Sequence, residues 1–127
     1  MSPRLTKAEE EIMLILWKLN EATIRDVMKE VQEPDIPYTT ISTVVRVLEK
    51  KGLVGHKAVG TTYLYHPLLK KKEYLKGQFA RIVSKYFDGS SARMAAFFAK
   101  ENNLNMKELK QMMEDMDSDF TINENHE

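Results

Sequence analysis

Cysteine is absent from all 127 residues, which excludes disulfides, thiolate metal sites and cysteine nucleophiles and suits a reducing compartment. Histidine is scarce. His56, His66 and His126 are the only imidazoles, and they lack the close spacing on one element that a zinc site needs. The acidic stretches Glu9-Glu10-Glu11 and Asp115 with Asp117 fall on helix faces expected to be exposed. Neither a glycine-rich phosphate loop nor a Ser-His-Asp order accompanies them, so catalysis, a cofactor and a metal are not expected. Long apolar runs are missing as well. The longest, Ile12 to Trp17, is too short to span a bilayer, and no cationic segment followed by an apolar one opens the chain. The expected location is the cytoplasm.

Net charge is missing in bulk but not locally. The formal charge is zero, yet residues 1–77 hold 13 Lys and Arg against 10 Asp and Glu, whereas residues 78–127 hold 6 against 9. Between residues 38 and 72, Arg46, Lys50, Lys51, Lys57, Lys70, Lys71 and Lys72 stand against Glu49 alone. Overall neutrality therefore hides a basic field and does not exclude nucleic acid as a partner. The length allows one core of ordinary size, or a small domain with an oligomerisation appendage.

Only four prolines are present, and Pro34, Pro37 and Pro67 punctuate the pattern. Thr6-Lys7-Ala8-Glu9 reads as a capping box that opens a helix over about 6 to 19. Ile12, Ile15, Leu16 and Leu19 recur in it at helical spacing, widened by Met13 and Trp17. Thr23-Ile24-Arg25-Asp26 repeats the signal, and Ile24, Val27, Met28 and Val31 stripe a second helix over about 23 to 32. A third helix is expected over about 38 to 51, after the two prolines have turned the chain. Two β-prone runs, 53–59 and 61–66, are separated by Gly60 and closed by Pro67, which indicates a hairpin. The expected fold is mainly α: a winged helix-turn-helix over 1–68, three helices plus a β-hairpin wing. Beyond it, Leu75, Phe79, Ile82, Val83 and Tyr86 stripe a helix over about 69 to 87. Ser90 or Ser91 caps a segment with Met94, Ala95, Phe97 and Phe98, and Asn105 caps a last helix carrying Leu109, Met112, Met113 and Met116. Such amphipathic helices need a covering surface. A second copy of the chain would supply it, making 69–117 a helical dimerisation domain and favouring an interface over a promiscuous groove for the methionines. Residues 118–127, acidic and without period, are expected to be a disordered tail.

The third helix carries the chemistry. Ile41, Val44, Val45 and Leu48 share one apolar face, while Thr39, Thr43, Arg46 and Lys50 lie opposite, flanked by Thr40, Ser42 and Val47. A major groove admits a helix, and Thr, Ser and Arg can bond base edges or phosphates there. The same pattern suits a solvated face on an ordinary core helix, and patterning alone does not separate the two. Gly52 is placed to supply a left-handed C-terminal cap. Tyr63 and Tyr65 share one face of the second strand, where packing on the core is expected rather than base stacking.

Three groups of residues, in order and at their distances, resemble the penicillinase repressor family of winged-helix regulators. They are Leu5-Thr6-Lys7-Ala8-Glu9 with Ile12, Met13 and Trp17; Tyr38-Thr39-Thr40-Ile41-Ser42-Thr43 with Leu48-Glu49-Lys50-Lys51-Gly52; and Gly60 with Tyr63, Tyr65 and Pro67. The resemblance runs from Leu5 to about Met116. It implies a sequence-specific repressor that binds a palindromic double-stranded DNA operator as a homodimer joined by its C-terminal helices. The family's base-contacting positions correspond to Thr39, Thr40 and Thr43, with Ser42 and Arg46 also base-facing. Lys50, Lys51, Lys57 and Thr61 would be phosphate or wing contacts. The family often has a basic residue where Thr39 stands and an Arg just after the wing glycine, and this chain has hydroxyls at both. The implied dimerisation residues are Leu75, Phe79, Ile82, Val83, Tyr86, Phe97, Phe98, Leu109, Met112, Met113 and Met116. Some members are released by a membrane-bound sensor metalloprotease that cuts an Asn-Phe bond, and Phe97-Phe98 stands at that position. The copper-responsive route through a C-terminal Cys-x-Cys pair is closed. The competing expectation is a winged helix that docks on proteins and never touches DNA, which would expose apolar anchors on the third helix.

Overall fold

A computed structural model describes residues 3–33 and 35–124, with side chains through Asp115. It divides into two compact units, Pro3–Lys71 and the chain from Lys72 onward, apart from the first two residues.

In the first unit, α1 (Lys7–Leu19) and α2 (Ile24–Glu30) begin with the same device. Thr6 Oγ1 accepts from the Glu9 amide at 3.1 Å, and the Glu9 carboxylate accepts from the Thr6 amide at 2.9 Å. Thr23 and Asp26 repeat the exchange at 3.1 and 3.0 Å. Each helix thereby satisfies two amides that its first turn would leave without partners. Extended backbone at Pro37 then leads into α3 (Tyr38–Lys50), whose start carries no side-chain cap. Its end is fixed by Gly52 at φ +79°. The Leu53 amide donates to the Leu48 carbonyl at 3.0 Å and the Gly52 amide to Glu49 at 2.9 Å, the two bonds of a Schellman cap.

Strands β1 (Val54–Val59) and β2 (Thr62–Pro67) pair antiparallel, with Val54 opposite Pro67 and Val59 opposite Thr62. Gly60 and Thr61 form the two-residue turn, and Gly60 takes φ +63°. A short bridge ties this hairpin to the helices. The Ala22 amide donates to the Tyr65 carbonyl at 2.9 Å, and the Tyr65 amide returns a bond to Ala22 at 2.8 Å. Met13 and Leu16 from α1, Val27 from α2, Val45 and Leu48 from α3, and Val54 from β1 are the largest fully buried side chains. Trp17 packs against this core, and its indole donates to the Leu69 carbonyl at 2.8 Å.

The second unit carries α4 (Lys71–Tyr86), α5 (Ser91–Glu101) and α6 (Met106–Glu124). Ser90 Oγ caps α5 by accepting from the Arg93 amide at 3.1 Å, and Asn105 Oδ1 accepts from Glu108 at 2.8 Å. Tyr74, Val83, Ala99 and Leu109 are buried. The six helices and one hairpin follow the expected order. Helix α2 is shorter than its stripe suggested, and α6 continues to Glu124, past the point where the apolar period stops. A helix needs only backbone bonds to run on, so loss of a stripe does not mark its end. Residues 125–127 of the expected tail lie outside the described residues. No described helix is long and apolar enough to cross a membrane.

A Cβ at Gly52 would meet nothing within 4 Å, so the cost of Gly52→Ala is torsional alone. We expect a loss of about 1–2 kcal/mol in unfolding free energy, measured by urea denaturation.

Candidate nucleic-acid interface

Helix α3 is seated by Ile41, Val45 and Leu48, all buried, with Val44 half-buried beside them. Thr39, Thr40, Thr43, Arg46 and Lys50 are exposed, and Ser42 is half-buried. Val47, 40% exposed, is the one aliphatic residue on that outer side, which the exposed Tyr38 ring begins. The Thr43 hydroxyl donates to the Thr39 carbonyl at 2.8 Å, so its oxygen presents lone pairs outward and its hydrogen is committed. Among the described residues, neither Arg46 nor Lys50 enters an ion pair.

Other cations of the basic field are engaged. Lys51 Nζ lies 2.7 Å from the Glu9 carboxylate, and Lys57 Nζ lies 2.9 Å from that of Glu21. Glu9 departs from its expected exposure: it is only 4% exposed, drawn inward by its duty in the α1 cap. Burial works against its ionisation. Hydrogen bonds from Lys51 and from the Thr6 backbone, helped by the Lys51 charge, outweigh that and hold its carboxyl below the usual glutamate range. The Lys51 side chain is 45% exposed, so it retains a solvent-facing side while bracing the end of α3 against the start of α1.

On the wing, Thr61 sits exposed in the turn. The His56 ring lies 4.6 Å from the Tyr63 ring and 5.6 Å from that of Tyr65, and it pairs with the Glu49 carboxylate of α3. Tyr65 is buried, and burial with the nearby Glu49 charge pushes its phenol above the ordinary value. Tyr63 is 52% exposed, so only one of the two tyrosines packs inward.

Of the C-terminal residues, Val83 and Leu109 are buried within the single chain and Leu75 is half-buried. Phe79, Ile82, Tyr86, Phe97, Phe98, Met112 and Met113 are exposed, Tyr86 and Met113 by more than 60%. The Met116 side chain lies outside the described residues. The Phe97-Phe98 bond is inside α5.

One cation on this side of the molecule escaped the sequence analysis. Arg25 is exposed in the first turn of α2, with its guanidinium 5.8 Å from the centre of the Tyr38 ring at the start of α3. The available signal was electrostatic, because a cation at a helix N-terminus opposes the helix dipole and needs another reason to be there. Among the described residues no group of three His, Cys, Asp or Glu could hold a metal ion.

Three helices, a hairpin and an exposed polar third helix beside it define a winged helix-turn-helix protein. The penicillinase repressor family model matches residues 5–118, and the chain belongs to that family. It is 24% identical over 111 residues to the penicillinase repressor of Bacillus licheniformis, covering 87% of each chain. It is 23% identical over 109 residues to the methicillin resistance regulatory protein MecI of Staphylococcus aureus, covering 85% of this chain and 89% of that one. Among solved structures, the DNA binding domain of the repressor BlaI superposes with a TM-score of 0.50 at 30% identity, over 58% of this chain and 94% of that domain.

The Glu9–Lys51 pair separates two neighbouring lysines. Lys51→Met leaves a buried carboxylate short of a donor and should cost about 1–3 kcal/mol near neutral pH; Lys50→Met should change stability by no more than about 0.5 kcal/mol. Because the folded Glu9 carboxyl titrates below its unfolded value, its contribution is complete above the usual glutamate range and lost as pH falls through the folded value. Urea unfolding across the acid range should show a shallower acid-side loss in Lys51→Met.

Proposed function

We propose that the chain is a cytoplasmic DNA-binding repressor that acts as a homodimer on a two-fold symmetric operator. The observation that carries this reading is the outer side of α3, where Thr39, Thr40, Thr43, Arg46 and Lys50 stand exposed on a helix anchored by its opposite face. In this reading α3 enters the major groove. Thr39, Thr40, Ser42, Thr43 and Arg46 face base edges, and Lys50, with the wing residues Lys57 and Thr61, meets the backbone. Lys51 contributes chiefly by holding α3 in place, with a secondary electrostatic share. A protein-docking surface would present a cluster of apolar anchors on this side, where Val47 is the one exposed aliphatic residue and Tyr38 the one exposed aromatic. The named relatives, two repressor or regulatory proteins and a DNA-binding domain, support the same direction.

The exposed Phe79, Ile82, Tyr86, Met112 and Met113 support a second copy as the cover for the C-terminal unit, which would set two α3 helices in successive major grooves. Repression is then steric exclusion of polymerase. Release by a membrane-bound sensor metalloprotease is proposed to act at Phe97-Phe98. Because that bond lies within α5, local opening of the helix must precede cleavage.

A gel-shift salt series on the region upstream of the chain's own gene tests the reading. Binding should weaken with salt at a logarithmic slope of about −0.9 per phosphate contacted. Lys50→Ala should reduce the slope by about one per subunit on every sequence, while Thr43→Ala should change sequence preference. Absence of binding at low salt refutes the proposal. Phe79→Glu or Met113→Lys should yield monomers, by sedimentation, that bind that region at least about tenfold more weakly; unchanged affinity in such a monomer removes the link between dimer and operator.

A further inference from the structure

We propose that Arg25, held against the ring of Tyr38, is a phosphodiester-binding cation of the DNA surface, contributed by α2. The inference rests on the reading above and extends it to an element outside α3 and the wing. Three observations carry it.

Arg25 has no carboxylate partner among the described residues. Three acids near it in sequence have other partners: Asp26 accepts from the Thr23 amide, Glu21 pairs with Lys57 and Glu30 with Lys18. Its partner is instead an aromatic face. A guanidinium attracted to a ring through its charge need not spend its N–H donors on that contact, whereas a carboxylate partner would occupy two of them.

The pair also stands beside the proposed groove-facing residues. Tyr38 is 46% exposed and precedes Thr39 and Thr40 directly. Tyr38, Ser42 and Arg46 follow one another at i, i+4 and i+8, so they form a single row along α3, and about 12 Å of helix axis separates its ends. Arg25 adds a cation at the end of that row where α3 itself has none.

Finally, the position is unfavourable for a cation on local grounds, since the first turn of α2 is the positive end of that helix. The Tyr38 ring offsets this and limits the freedom of a long side chain before it binds. A pre-oriented guanidinium matches the paired oxygens of a phosphodiester.

The test uses the full chain and two duplexes, its own upstream region and an unrelated sequence of equal length. Arg25→Ala should weaken both about equally, by about tenfold at low salt, and lower the logarithmic salt slope by about one per subunit. Tyr38→Ala should give a similar loss, the conservative Tyr38→Phe should restore most of it, and the Arg25→Ala, Tyr38→Ala double variant should be little worse than Arg25→Ala. Arg25→Gln, with folding checked by circular dichroism, repeats the measurement if the alanine variant is unstable. An unchanged slope in a folded Arg25 variant, with wild-type protein binding normally, overturns this inference and leaves the proposed function standing. Loss on the upstream region alone overturns the phosphodiester assignment in favour of a base contact. If the wild-type protein binds neither duplex, the proposed function fails and this inference with it.

Discussion

The seating of α3 depends on three side chains, Ile41, Val45 and Leu48, that recur on one face and are all buried. Each contributes about 1.5–3 kcal/mol of apolar burial, and together they decide which side of the helix is left to solvent. Everything polar on the opposite side takes its direction from that choice. A helix held along one seam can still slide or roll, and further contacts remove those freedoms. The Schellman cap at Gly52 fixes where α3 ends, and the Glu9–Lys51 pair ties that end to the first turn of α1. Glu9 thus serves two helices at once. Its carboxylate completes the start of α1 through one oxygen and receives the α3 cation through the other.

Neutral composition conceals how the charges are divided. Lys51 holds the fold together through the buried Glu9 carboxylate, whereas Lys57 meets Glu21 in an exposed pair that adds little to stability. Arg46 and Lys50 have no such partner among the described residues. A count of basic residues cannot make this division, because the acids that engage Lys51 and Lys57 lie far away in sequence. The cations open to a partner are therefore fewer than the cluster between residues 38 and 72 suggests.

What the sequence disclosed and what it hid follow from the range of each interaction. The capping boxes at Thr6 and Thr23 join residues three apart, and the stripes of α1, α2 and α3 repeat within two turns, so local patterns were enough to find them. The hairpin was legible because Gly60 and Pro67 bound runs of β-prone residues. Ala22 was not, because a one-residue bridge has no alternation to detect. Glu9 was legible as the acid of a capping box but was expected to be exposed with Glu10 and Glu11 until its distant partner appeared, and the capping box that contains Arg25 uses Thr23 and Asp26 and gives Arg25 no role. The C-terminal stripes announced apolar faces, yet they could not tell Val83 and Leu109, which are buried in the chain, from Phe79 and Met113, which are exposed.

The Ala22 bridge has a consequence for the company the hairpin can keep. Strand groups point alternately toward and away from a partner strand, so on β2 the outward-facing residues are Tyr63, Tyr65 and Pro67. Tyr65 is already paired with Ala22, and Pro67 has no amide to offer. That leaves Tyr63, near the turn, as the one outward position of β2 with both backbone groups open among the described residues. A single open position is too short a template for strand addition, so this edge of the wing is closed to the sheet-to-sheet aggregation that exposed hairpins invite.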